Sequence, residues 1–190
     1  MNFNKKNRRI LRWKSTMGLV ILLTMNVLGN KIYAQESEVP TLGFKYVCNE
    51  KIIVGTTNLE ELEQVPDFWM DYLIHYSNYV MDREKLAEIG LELKNKAIKI
   101  TAIIGSWCGD TREQLSVLQK ILDNLDDKPA IEYIGVDRDK LAGGVDISAL
   151  NIRLIPAFIF YENDQEIGRI VETPSSTMEN DILRILRKEK

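Results

Sequence analysis

From Ala97 onward the chain alternates short β-branched runs with amphipathic stretches of helical period. Ile98 to Ile104 reads as a buried strand. It stops at Gly105-Ser106-Trp107-Cys108-Gly109-Asp110-Thr111, after which Leu115, Leu118, Ile121, Leu122 and Leu125 recur at helix spacing. A second strand is predicted over Ile131 to Val136, a short turn or helix around Ile147 to Leu150, and a third strand over Ala157 to Tyr161. Glu162-Asn163-Asp164-Gln165 reads as a hairpin turn, Glu166 to Val171 as the returning strand, and Met178, Ile182, Leu183, Ile185 and Leu186 as one face of a last helix. Strands separated by helices predict parallel pairs, and the four-residue turn predicts an antiparallel one. The expected class is α/β, a central mixed sheet with helices on both faces.

Upstream, Tyr46-Val47-Cys48 and Lys51 to Val54 read as strand around an Asn49-Glu50 turn. Asn58, or Thr57 with Glu60 three residues on, suits a helix N-cap before Leu59 and Leu62. Asp67 opens a second helix with Trp69, Tyr72, Leu73, Tyr76 and Val80 as its core stripe. A third helix runs over 82–93, with Leu86, Ile89 and Leu93 on one side. Residues 35–96 are thus expected to form an additional strand and helical segment packed on a core formed by 97–190.

The first 34 residues stand apart. They hold seven basic residues and no acidic one, then an apolar stretch from Met17 to Leu28, then Ile32-Tyr33-Ala34. This is the pattern of a secretory signal peptide, too short in its apolar part to span a bilayer comfortably. The expectation is export to the periplasm or medium, cleavage near Ala34 or Gln35, and no stable membrane insertion afterwards. Removing those seven from 25 basic residues leaves 18 against 28 acidic ones, a formal charge of −10. Such a balance argues against nucleic-acid partners, which need clustered positive charge. With one histidine and two cysteines, Cys48 and Cys108, neither a disulfide scaffold nor a metal site is expected, and no cofactor motif stands out.

Cys108 carries the candidate chemistry. It falls where a buried strand meets a helix start, and there unpaired N–H groups and the positive end of the helix dipole favour thiolate over thiol. The Thr111 hydroxyl is placed to donate to that thiolate, while the Asp110 carboxylate opposes it or simply stabilises the helix start. A packed, inert cysteine is the competing reading. Cys48 reads either as a packed strand residue or as a disulfide partner for Cys108.

Trp107-Cys108-Gly109 at the helix start and Ile155-Pro156 before the hairpin, 47 positions after the cysteine, resemble the thioredoxin superfamily over Ala97 to Lys190. The chain is also similar to exported thioredoxin-like proteins of Bacteroidetes-type bacteria, where Trp-Cys-Gly-Asp-Ser follows an additional N-terminal region; Thr111 takes the serine position. The resemblance implies a cis Pro156, an Ile155 backbone that pairs with bound peptide, and Trp107, Gly109 and Asp110 beside the substrate. Two departures matter. Thr111 stands where that family carries its second cysteine, and Ala102 where it carries a buried aspartate. An internal two-cysteine cycle is therefore absent. The expected activity is thiol–disulfide exchange on protein or peptide disulfides through Cys108 alone, with an external thiol or reductase for resolution. The alternative is a redox-inactive module that keeps the peptide groove.

Overall fold

A computed structural model describes residues 43–47 and 50–189, with side chains from Ile52 onward. The N-terminal 34 residues and Cys48 lie outside the described residues. The strands are β1 (Gly43–Val47), β2 (Glu50–Thr57), β3 (Ile98–Ile104), β4 (Ala130–Gly135), β5 (Ala157–Glu162) and β6 (Gln165–Val171). The helices are α1 (Leu59–Glu63), α2 (Pro66–Asn78), α3 (Arg83–Leu93), α4 (Gly109–Asp123) and α5 (Met178–Leu186), with a 3₁₀ turn at Ser148–Leu150. The sheet order is β1-β2-β4-β3-β5-β6.

Local chemistry accounts for most boundaries. Asn58, Asp82 and Thr177 each accept a backbone N–H from the first turn of the helix that follows. Asn163 and Asp164 both adopt positive φ, 51° and 63°, the conformation a two-residue hairpin turn requires. Gly168 combines two roles. A register shift lies beside it at Phe160/Tyr161, and a Cβ at that position would stand 2.9 Å from the Ile185 side chain of α5.

Pairing departs from the simple rule in an informative way. Among the described strands only β3 and β4 run parallel; β2 is antiparallel to β4, and β5 is antiparallel to β3. Ile104 pairs with Gly135, and Ile103 with Ala157, so β4 ends and β5 begins at the same end of the sheet. The connection between them needs no crossover helix, and one 3₁₀ turn is all the regular structure it contains.

The α/β class and the mixed sheet hold, but the helical cover is uneven. Ile98, Ile100, Ala102 and Ile104 share one apolar cluster with Leu62 of α1, Phe68 and Tyr72 of α2, Ile89 and Leu93 of α3, and the buried faces of α4 and α5. On the other face Ile103, Ile134, Val136 and Ile159 are met by Val145, Ile147, Leu150 and Ile152 from the β4–β5 connection. The side chains alternate across β3, so its two faces meet different layers.

In α2 the inward residues are Phe68 and Tyr72, with Trp69 and Tyr76 partly buried. Trp69, Tyr72 and Tyr76 face the core as the spacing predicts. Leu73 is 42% exposed and Val80 88% exposed. A turn of 3.6 residues carries Leu73 about 100° away from Tyr72, and Val80 lies beyond the end of the helix. The carbonyls at that end are closed by Lys120 of α4, whose Nζ donates to Tyr76 O at 2.6 Å, Tyr79 O at 2.8 Å and Ser77 O at 3.2 Å. A cation on the last carbonyls also matches the negative end of the helix dipole.

Lys120→Met keeps the aliphatic stem and removes those bonds. The variant is expected to lose about 2 kcal/mol of stability, measured by urea denaturation with an unchanged slope.

Candidate functional site

The site forms where β3, β4 and β5 meet at one end of the sheet. β3 ends at Ile104 and α4 begins at Gly109, and the intervening turn is closed by the Cys108 N–H donating to Gly105 O at 2.9 Å. Cys108 is the N-cap of α4, in extended conformation (φ −94°, ψ 127°), and its carbonyl accepts the Arg112 N–H at 3.3 Å. Its side chain makes no capping bond. The thiol is free and half-buried, and Sγ lies 3.9 Å from the Ile155 carbonyl oxygen. The Ile155–Pro156 peptide bond is cis. The Glu172 N–H holds the Pro156 carbonyl at 2.8 Å, fixing that loop to the end of β6.

Glycine at position 105 makes this close approach possible. A Cβ there would stand 2.6 Å from Ile155 Cδ1 and 3.0 Å from Trp107 Cε2. Both side chains therefore fold over the strand end, and Ile155 stays 5% exposed. Trp107 is held from the other side: its indole Nε1–H donates to Val136 O at 3.0 Å, and the Arg138 guanidinium stacks 4.7 Å from the ring centroid. Ser106, also buried, accepts the Ile53 N–H at 3.1 Å and ties the turn to β2.

Thr111 does not take the place expected for it. It is fully buried, and its Oγ1 accepts the Gly105 N–H at 3.3 Å. No bond from its hydroxyl to Cys108 is formed, so its contribution is to fasten the first turn of α4 to the strand exit. Asp110 is exposed in that first turn, and Gly109 is exposed with open space around its Cα. Ala102 is completely buried between Tyr133 and Phe158 in the neighbouring strands.

Cys108, Trp107, Ile155 and Pro156 are thus brought together, Gly109 and Asp110 border them on the solvent side, and Thr111 lies beneath. Val136 and Arg138 were invisible to sequence reasoning, since nothing in the pattern of the β4–β5 connection marks them as supports for Trp107. Gly105 carries a readable signal: a glycine at the exit of a buried strand announces a close approach.

Fold and site together define a thioredoxin-like α/β protein with one cysteine at its helix start. A thioredoxin family model matches residues 56–183, most of the chain, and the chain belongs to that family. No curated protein matches it. Among solved structures, a protein of unknown function from Pseudomonas aeruginosa is 15% identical over 70% of this chain and 91% of its own, with a TM-score of 0.50. An HIV epitope scaffold is 17% identical over 70% of this chain and 84% of its own, with a TM-score of 0.48. At such identity the Pseudomonas likeness concerns the fold alone.

Thr111→Val leaves the buried Gly105 N–H without an acceptor. It is expected to cost about 1–3 kcal/mol, whereas Thr111→Ser, which retains the hydroxyl, costs less. Equal losses in urea denaturation would show that packing, not this bond, is what Thr111 supplies.

Proposed function

We propose that this chain is an exported protein that takes part in thiol–disulfide exchange through Cys108. One observation carries the reading: a free, half-buried thiol at the N-cap of α4, with Sγ 3.9 Å from the carbonyl beside a cis-proline. The Ile155 backbone offers an extended substrate segment a hydrogen-bonding edge. Trp107, Gly109 and Asp110 border the same opening.

The chemistry balances as follows. The Cys108 thiolate attacks one sulfur of a substrate disulfide; the new S–S bond joins enzyme and substrate, and the departing sulfur leaves as thiolate and takes a proton from water. Thr111 cannot resolve the mixed disulfide. An external thiol attacks the substrate sulfur, expels the Cys108 thiolate and is left in a disulfide with the substrate, or a different thiol of the substrate attacks that sulfur, expels Cys108 and leaves the substrate with a rearranged pairing. The partners are accordingly protein or peptide disulfides and an external thiol or reductase. Export rests on the character of the first 34 residues, seven basic side chains followed by an apolar run.

A second reading has its own support. Ala102 and Thr111 replace the groups that serve a resolving cysteine, which suits a module that binds extended peptides without turnover.

The test is adduct formation in a Cys48→Ala background. Incubated with an oxidised peptide, the full chain is expected to gain the mass of one peptide thiol, to lose it on adding dithiothreitol, and to gain nothing as Cys108→Ser. No adduct with any peptide disulfide would overturn the exchange reading. Peptide binding that survives Cys108→Ala, again with no adduct, would establish the binding module instead.

A further inference from the structure

The backbone that leads into the cis-proline loop is unclaimed. From Ile152 to Ile155, no N–H or carbonyl takes part in a hydrogen bond among the described residues, apart from the Ile155 carbonyl facing Cys108 Sγ at 3.9 Å. Engaged backbone bounds this strip on either side: the Asn151 N–H donates to Ser148 O at 3.4 Å, and Pro156 O accepts the Glu172 N–H at 2.8 Å. Backbone groups away from water are paired as a rule, and Ile152 is half-buried and Ile155 nearly buried. An extended peptide laid along the strip supplies the missing partners, as in strand addition to a sheet edge.

A cavity of about 280 Å³ opens beside the same strip, between it and the end of β6. Ile152, Leu154, Ala157 and Val171 line it, with the side chains of Arg153 and Arg169. Leu154 is 48% exposed and Val171 37%, so apolar surface is left uncovered at the edge of the site. The charged groups around the cavity do not choose a sign. The Arg169 guanidinium is closed by both Glu166 carboxylate oxygens at 2.6 Å and by Leu150 O at 2.9 Å. Arg153 and Glu172, the residue after Val171, carry one charge of each sign. Apolar contact therefore decides what the cavity takes.

We infer that this cavity is a side-chain subsite of the Cys108 site, selecting disulfides that carry a leucine-sized apolar residue one or two positions from the attacked cysteine. Resting on the exchange reading, it adds the substrate class. Spacing places the occupant. With the attacked cysteine alongside Ile155, and about 3.3 Å between successive residues of an extended chain, its first and second neighbours come alongside Leu154 and Arg153, where the cavity opens. Backbone pairing with the strip holds the segment whatever its sequence, and the cavity supplies the discrimination.

Two measurements on the full chain test this. In a Cys48→Ala background, adduct formation is timed with disulfide-linked dimers of end-capped pentapeptides that have a central cysteine, each rate taken relative to that of the same peptide with glutathione. One peptide has glycine elsewhere, one leucine at the first neighbours of the cysteine, and one leucine at the second neighbours. At least one leucine peptide is expected to react with Cys108 about tenfold faster than the glycine peptide. Leu154→Asn with Val171→Thr, two exposed positions, is expected to bring that ratio close to one without changing the circular dichroism spectrum. The same peptides with serine for cysteine, titrated into the Cys108→Ala chain and followed by NMR, are expected to keep the order in affinity. Equal adduct rates for leucine and glycine overturn the subsite and leave the exchange reading standing, and aspartate or lysine peptides that match leucine overturn apolar selection. No adduct with any peptide overturns exchange; the serine peptides then decide the subsite alone, and equal affinities overturn it.

Discussion

The site depends on what the exit of β3 lacks. With no side chain on Gly105, Ile155 Cδ1 and the Trp107 ring occupy the space that a Cβ would fill, and the cis-proline loop settles against the turn that carries Cys108. Three bonds then fix that turn. Gly105 O holds the Cys108 N–H, Thr111 Oγ1 holds the Gly105 N–H, and Ser106 Oγ holds the Ile53 N–H of β2. The cysteine is placed by backbone and neighbours rather than by any partner of its own sulfur beyond the 3.9 Å contact with Ile155 O. The surroundings of the thiol are thereby held rigid.

That rigidity is backed unequally from the two sides of the sheet. All five α-helices contribute to one apolar layer, and α4, the helix that begins at Cys108, is anchored to α2 by the Lys120 ammonium and by the Arg112–Asp71 ion pair at 2.9 Å. The opposite layer is a loop with one 3₁₀ turn. Its contribution to the site is local but specific: Val136 and Arg138 at its start hold Trp107, and Ile155 at its end meets the sulfur.

Much of this was legible in the sequence because it rests on patterns that local chemistry imposes. The β-branched run of β3, the leucines of α4, the hairpin at Asn163-Asp164 and the cap at Asn58 each announce themselves within a few residues. So did the pairing of a cysteine at a helix start with Ile155-Pro156, 47 positions later. What was not legible is set by long-range packing. Periodicity gave α2 one apolar stripe, but Leu73 turns outward and Phe68 inward because its apolar residues span more than one side and its docking on α4 chooses which of them are buried. The antiparallel course of β2 and β5 follows from where their connections begin and end. Thr111 looked like a donor to the sulfur because it lies one turn away; burial and the orphan N–H of Gly105 claim it instead.

The central claim is that Cys108 is a nucleophile by virtue of its position, and the rate of its reaction with iodoacetamide tests that most directly. In the reduced, folded chain with Cys48→Ala, Cys108 should alkylate at neutral pH several-fold faster than glutathione, and the advantage should vanish in urea. A thiol that reacts no faster folded than unfolded, or more slowly than glutathione, would contradict the account and leave a packed cysteine at the start of α4.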